Sequence, residues 1–119
     1  MEKMKKMDRK ALALQREIER IKKELAELGD MRPSSLSRQY NVCGKPGCRC
    51  KASPPEKHGP YYQVSYTRRG RSGTMFVRGE QVARVRHQLK NYARMRRLVD
   101  RWIEAGAELS NLRLAETRG

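Results

Sequence analysis

The feature that most constrains this chain is a cluster of cysteine and histidine residues in its middle. All three cysteines and one of the two histidines lie between residues 43 and 58, with the spacing C-x4-C-x-C-x7-H. Three thiolates and one imidazole form a Cys3His set, which suits a tetrahedral zinc ion. We therefore predict a structural zinc site whose ligands are Cys43, Cys48, Cys50 and His58.

The residues around the cluster are consistent with a metal-binding loop. Gly44 and Gly47 allow a short loop to curl, and Lys45 and Arg49 can offset the negative charge of three thiolates. The C-x-C step is less typical of zinc than paired C-x2-C motifs. Two alternatives therefore stay open: a metal-free turn with incidental cysteines, and a His58 that is a hydrogen-bonded turn residue instead of the fourth ligand.

The N-terminal run and the short lengths of the apolar runs favour a cytoplasmic location for the protein. The N-terminal run MEKMKKMDRK lacks the apolar region of a signal peptide. No apolar run approaches the roughly 18 residues that a membrane span needs, so we predict no membrane partner. In a reducing cytoplasm, a tight cysteine cluster more often holds a metal than disulfides.

The first segment, residues 1–30, is predicted to form one long helix. Its apolar residues recur at alternating steps of three and four, which is a heptad seam: Met4, Met7, Ala11, Leu14, Ile18, Ile21, Leu25 and Leu28. A seam this narrow requires another helix as a partner. That partner is either the C-terminal helix, in an antiparallel coiled-coil-like hairpin, or a second copy, in a homodimer through residues 4–28.

The rest of the chain predicts an α+β fold. Residues 80–119 contain no proline and form a long, basic, amphipathic helix. Residues 31–79 combine the zinc loop with a β-hairpin, whose strands at 61–66 and 73–78 flank a longer cationic loop. The run RPSSLSRQY, residues 32–40, is interpreted as a loop or linker.

The charge of the chain indicates a polyanionic partner. The net charge is +15, and residues 31–79 alone carry ten basic side chains and one acidic. We predict binding to nucleic acid, with DNA preferred over RNA. Phosphate contacts are predicted from one set of cations: Lys45, Arg49, Arg68, Arg69, Arg71, Arg86, Lys90, Arg94, Arg97 and Arg101. Tyr61 is a candidate for stacking on unpaired bases.

The sequence suggests no catalytic constellation, so we predict a protein that is not an enzyme. No Ser/His/Asp arrangement or glycine-rich phosphate loop is indicated, and a filled Cys3His site leaves no open position on zinc. The main alternative is a helical adaptor that binds a protein partner, with a purely structural zinc loop. A zinc-dependent enzyme is a minor alternative, which would need an open position on the metal.

The run SLSRQYNVCGKPGCRCKASPPEKHGPYYQVSYTRRGRS, followed by FVR, resembles a group of small bacterial proteins with no assigned function. Their shared signature is a CGKPGCxC loop, then HGPYYxxSY, then a basic turn, and the resemblance covers roughly residues 32–112. It implies a shared polar core made of Cys43, Cys48, Cys50 and His58, with Gly59, Pro60, Tyr61 and Tyr62 beside it. Similar segments occur in proteins near transposons and phage-like elements, which implies a DNA or RNA role.

Overall fold

The computed structural model describes residues 5–117 and confirms the predicted α+β class. Its main elements are helix α1 (Lys6–Glu27), strands β1 (Ser35–Asn41), β2 (His58–Arg68) and β3 (Arg71–Val77), and helix α2 (Val82–Thr117). Short 3-10 turns at Arg49–Lys51 and Gly79–Gln81 precede β2 and α2. Among the described helices, none is long and apolar enough to cross a membrane.

The chain divides into two compact units. The helical unit comprises the described parts of Met1–Asp30 and Asn91–Gly119. The sheet unit comprises Met31–Lys90, so it includes the whole cysteine loop, all three strands and the first residues of α2.

In the helical unit, α1 packs in antiparallel orientation on α2. Leu14 and Ile18 form a buried cluster with Ala105 and Leu109, and Ala105 is fully buried. Three interhelical ion pairs accompany this cluster: Lys10–Glu108 at 2.9 Å, Glu17–Arg101 at 2.7 Å and Glu24–Arg94 at 3.2 Å. From one ion pair to the next, the residue number rises by seven on α1 and falls by seven on α2, as expected for an antiparallel helix pair.

The same seam is the basis of the homodimer alternative. Leu14, Ile18 and Ile21 are already buried within a single chain. Met4, the first residue of the predicted seam, lies outside the described residues. A homodimer through residues 4–28 would have to displace α2 from this seam, and it stays a prediction.

The Glu17–Arg101 pair predicts that the helical unit loses stability in acid. The hydrogen bonds from Arg101 hold the pKa of the Glu17 carboxyl below its ordinary value of 4.5. A lowered folded-state pKa contributes stability that is present above the unfolded-state pKa and is lost as the pH falls through the folded-state pKa. We expect Glu17→Gln to lower the thermal unfolding midpoint at neutral pH and to have a shrinking effect below pH 4.5.

The matched control for this prediction is Glu19→Gln, because among the described residues Glu19 forms an ion pair within its own helix, with Lys22, and none with α2. Thermal unfolding of both variants and of the wild type would be followed by circular dichroism from pH 7 to pH 3. A Glu17→Gln effect that is constant across this range would contradict the prediction.

The sheet unit is built on a three-stranded antiparallel sheet in the order β1-β2-β3. Val64 and Val77, on one face of the sheet, form a buried cluster with Val82 and Val85 at the start of α2. Three partly buried side chains pack around this cluster: Leu36, Tyr62 and Leu89. We refer to this face as the inner face, and to the opposite one as the outer face.

Strand β1 corrects the sequence interpretation of residues 32–40 as a loop. It pairs with β2 from Ser35 opposite Ser65 to Asn41 opposite His58. The serines concealed the strand because serine is typical of turns, although Leu36 alternates with polar neighbours as a half-buried strand requires. A third strand also gives the hairpin the support that an isolated two-stranded ribbon lacks in water.

The turn between β2 and β3 is shorter than the predicted loop. The strands continue to Arg68 and Arg71, which leaves only Arg69 and Gly70 between them. These two residues have φ values of 52° and 76°, and positive φ at both central positions characterises a type I′ hairpin turn. The turn therefore holds three arginines together at the end of a regular hairpin.

Candidate metal centre and cationic surfaces

The cysteine loop connects β1 to β2 and brings its four predicted ligands together. Cys43 follows β1, Cys50 lies in the 3-10 turn, and His58 is the first residue of β2. Asn41 pairs with His58, so the two ends of the loop are held side by side by the sheet. Within the loop, the N–H of Cys48 donates to the carbonyl of Lys45 at 3.4 Å.

Two of the distances between the ligand atoms are close to those of a tetrahedral metal site. The Sγ atoms of Cys43 and Cys50 are 3.6 Å apart, and Cys48 Sγ is 3.3 Å from His58 Nε2. Two thiolates on one zinc lie about 3.8 Å apart, given a Zn–S bond of about 2.3 Å. All four ligand atoms lie within 4.8 Å of one another, so the cluster could hold one metal ion.

The surroundings of the cluster shift the pKa values of its members in different directions. A hydrogen bond with the Lys45 backbone, followed by one with His58, lowers the pKa of the Cys43 thiol to about 6. Burial raises the pKa of Cys50, whose side chain is only 1% exposed. Hydrogen bonds with Cys43 and then Cys48 raise the pKa of His58. A metal cation would take the place of the imidazolium proton as the positive charge among the sulfurs.

The loop also carries the predicted cations closest to the cluster. Lys45 and Arg49 are both exposed. Arg49 forms a loose ion pair with Glu56 at 3.7 Å, and both side chains are more than two-thirds exposed. Lys45 has no ion pair within residues 5–117, although its carbonyl accepts a hydrogen bond from Lys51 Nζ.

The arginines of the hairpin turn form a second cationic surface. Arg68, Arg69 and Arg71 are all exposed. None of the three makes an ion pair with any described carboxylate. Their charge is therefore available to an anionic partner.

The predicted cations on α2 differ in their surroundings. Arg94 and Arg101 pair with Glu24 and Glu17 of α1, so their charge is partly matched within the helical unit. Arg86, Lys90 and Arg97 are exposed and have no described carboxylate partner. Spacing along the helix could not separate these two groups, because the separation depends on which side of α2 faces α1.

One cation in the sheet unit was missed by the sequence analysis. Arg38 lines a cavity of about 350 Å³ together with Arg86 and Lys90, and Leu36 and Leu89 form part of its apolar wall. No acidic residue lines this cavity. The sequence does contain a signal for Arg38: Leu36 and Arg38 alternate with serine and glutamine, as in a strand. The interpretation of this run as a loop did not use that signal.

Tyr61 lies beside a second residue that sequence reasoning did not select. Tyr61 is 43% exposed and Phe76 is 73% exposed. The two line a shallow cavity with Val42, Cys43 and His58, so it adjoins the metal cluster. Phe76 lies two residues after Thr74 on β3. Because side chains alternate along a strand, both are on the outer face of the sheet.

Fold and site together define a small α+β protein with a Cys3His cluster, able to hold a metal ion, at one end of a three-stranded sheet. The chain belongs to the family described as a domain of unknown function, DUF6788, whose family model matches residues 11–87. This match starts and ends earlier than the resemblance over residues 32–112, and four of the predicted phosphate-binding cations lie outside it: Lys90, Arg94, Arg97 and Arg101. No curated protein and no solved structure matches the chain.

Proposed function

We propose that this protein is a DNA-binding protein without enzymatic activity, in which a structural zinc ion holds the cysteine loop. The observation that carries the proposal is the distribution of charge between the two units. Residues 31–90 contain thirteen basic and two acidic side chains, a net charge of +11 out of the total of +15. A unit of about sixty residues with this charge repels itself unless a polyanion balances it.

Zinc is the metal that the donor set favours. Three thiolates and one imidazole are soft and borderline ligands, which select zinc over calcium or magnesium. Four protein ligands complete a tetrahedral site and leave no position for a substrate. The proposal therefore assigns the ion a structural role and the protein no reaction.

The arginines of the hairpin turn are the leading phosphate-binding residues. Arginine binds phosphate through two parallel N–H groups, and no carboxylate within residues 5–117 pairs with Arg68, Arg69 or Arg71. Further contacts are assigned to six other exposed cations: Arg38, Lys45, Arg49, Arg86, Lys90 and Arg97. At Arg94 and Arg101, DNA would have to compete with Glu24 and Glu17.

A mobility-shift assay across a salt series tests this proposal. The triple variant Arg68→Ala/Arg69→Ala/Arg71→Ala is expected to weaken DNA binding by about tenfold or more at low salt. Because each phosphate contact contributes about one unit, the slope of log K against log salt should fall by about three.

The matched control is Arg9→Ala/Arg16→Ala/Arg20→Ala, which removes the same charge from exposed positions of α1. It is expected to retain most of the affinity and the wild-type slope. A wild-type protein that does not bind DNA or RNA at low salt would refute the proposal. Equal losses in the two triple variants would show that only net charge matters.

A helical adaptor is the second candidate function, and one observation favours it. Ile103 on α2 is 64% exposed, so its apolar side chain is accessible to a partner protein. A partner protein that binds independently of salt, together with no mobility shift on nucleic acid, would support the adaptor over the DNA-binding protein.

The proposal also includes a cytoplasmic location and a role accessory to a mobile element. The three cysteines are free thiols, as a metal site in a reducing compartment requires. The role in a mobile element is supported only by the resemblance of the CGKPGCxC and HGPYYxxSY signatures.

A further inference from the structure

The outer face of the sheet has an unusual composition for an exposed surface of a basic protein. Strand register and alternation place one set of side chains on it: Ser35, Ser37, Gln39, Tyr61, Gln63, Ser65, Thr67, Ser72, Thr74 and Phe76. None of these residues is charged. The face therefore offers hydrogen-bonding groups and two aromatic rings, in a sheet unit whose other surfaces are rich in cations.

Phe76 is the clearest sign that this face has a partner. It is the single phenylalanine of the chain, it belongs to neither hydrophobic cluster, and it is 73% exposed. Tyr61 lies diagonally across from it on β2, because Phe76 is opposite Gln63, and such diagonal neighbours are about 7 Å apart. Exposed aromatic rings on the surface of a sheet can stack with planar groups of a partner.

Cations flank this neutral face at both ends. At the C-terminal end of β2 lie the arginines of the hairpin turn, Arg68, Arg69 and Arg71. At its N-terminal end, the cysteine loop with Lys45 and Lys51 precedes His58, the first residue of β2. The eleven residues of β2 span about 36 Å at about 3.3 Å per residue. The one acidic residue of the loop, Glu56, forms a loose ion pair with Arg49, which offsets part of its charge.

We infer that the outer face binds single-stranded DNA, whose unpaired bases stack on Tyr61 and Phe76 while its phosphates contact the cations at the two ends. This inference rests on the proposed function and names the form of DNA that is bound. A duplex hides the faces of its bases, so it can use the cations but not the rings. The serine, threonine and glutamine side chains between them provide hydrogen bonds to base edges.

Fluorescence anisotropy on the full chain tests this inference, with a labelled oligodeoxythymidine strand and a blunt duplex of equal length. Phe76→Ala and Tyr61→Ala are each expected to weaken binding of the single strand by about tenfold, with an unchanged salt dependence and unchanged duplex binding. Phe76→Trp should retain the affinity because it preserves a stacking surface. The control is Met75→Ala, which removes the neighbouring, 45% exposed side chain on the inner face of β3.

Several outcomes would overturn the inference, and all but the second would leave the proposed function of DNA binding intact. The first is an equal affinity for the duplex and for the single strand, with no effect of Phe76→Ala on either. A second is an oligouridine strand bound more tightly than the DNA strand, with the same dependence on Phe76, since the partner would then be RNA. A third is a wild-type dimer in sedimentation that Phe76→Ala converts to a monomer, since the face would then join two copies. Failure of every strand to bind at low salt would refute the proposed function as well.

Discussion

A Cys50→Ser variant is expected to lose the proposed zinc ion and, with it, the folded sheet unit. Cys50 is 1% exposed, its sulfur lies 3.6 Å from that of Cys43, and it accepts the N–H of Cys43 at 3.3 Å. A serine hydroxyl stays protonated and cannot replace a thiolate. Structural zinc sites in small domains contribute on the order of 10 kcal/mol to folding, so this loss should exceed that of any single apolar contact.

Metal analysis by mass spectrometry and thermal unfolding by circular dichroism measure both parts of this prediction. The wild type is expected to contain one zinc ion per chain and the variant almost none. A strong chelator should lower the unfolding midpoint of the wild type to that of the variant and leave the variant unchanged. A wild type that folds normally with far less than one ion per chain would remove zinc from the proposal.

The second large effect is expected for Gly59→Ala, directly after the fourth ligand. Gly59 has φ = 137°, a conformation that side chains rarely adopt, and a Cβ there would lie 2.7 Å from the carbonyl oxygen of Gln39. Gln39 lies in β1, so that atom can yield only if the pairing of β1 with β2 opens. The backbone strain alone costs about 1 to 3 kcal/mol, and the steric overlap adds to it.

Gly44→Ala is the matched control, because Gly44 directly follows another ligand, Cys43. A Cβ at Gly44 meets nothing within 4 Å, and its φ is not in the positive range. Urea unfolding should show a clearly lower midpoint for Gly59→Ala and almost no change for Gly44→Ala. Weaker metal retention is also expected for Gly59→Ala, because the shift would move His58. Equal midpoints for the two variants would contradict the steric argument.

The helices and the cysteine cluster could be predicted from the sequence because their signals are local. The heptad steps through Leu14, Ile18 and Ile21 require only the geometry of one helix, and α1 spans Lys6–Glu27 as the pattern indicates. The four ligand residues lie between residues 43 and 58, and they do converge. The seam alone could not identify its partner, since any second apolar stripe would have satisfied it.

The parts that were missed depend on pairing between distant residues. Strand β1 is stabilised by β2, which begins seventeen residues after β1 ends, and its own serines suggest a turn. Without that strand, the place of Arg38 in the basic cavity could not be seen. The exposure of Phe76 likewise follows from the register of β3 against β2, which fixes the face on which each side chain lies.

The three ion pairs between α1 and α2 have a consequence for how the two helices align. Exposed ion pairs of this kind add little stability, about 0.2 to 1 kcal/mol each. However, the acidic residue of the pair does not always come from the same helix. Lys10 faces Glu108, whereas Glu17 faces Arg101 and Glu24 faces Arg94. A slip of one heptad in one direction would set Lys10 against Arg101, and a slip in the other would set Glu17 against Glu108. Either misalignment keeps the apolar stripes in contact but replaces three attractive pairs by one attractive and one repulsive pair, so the order of charges favours the observed alignment.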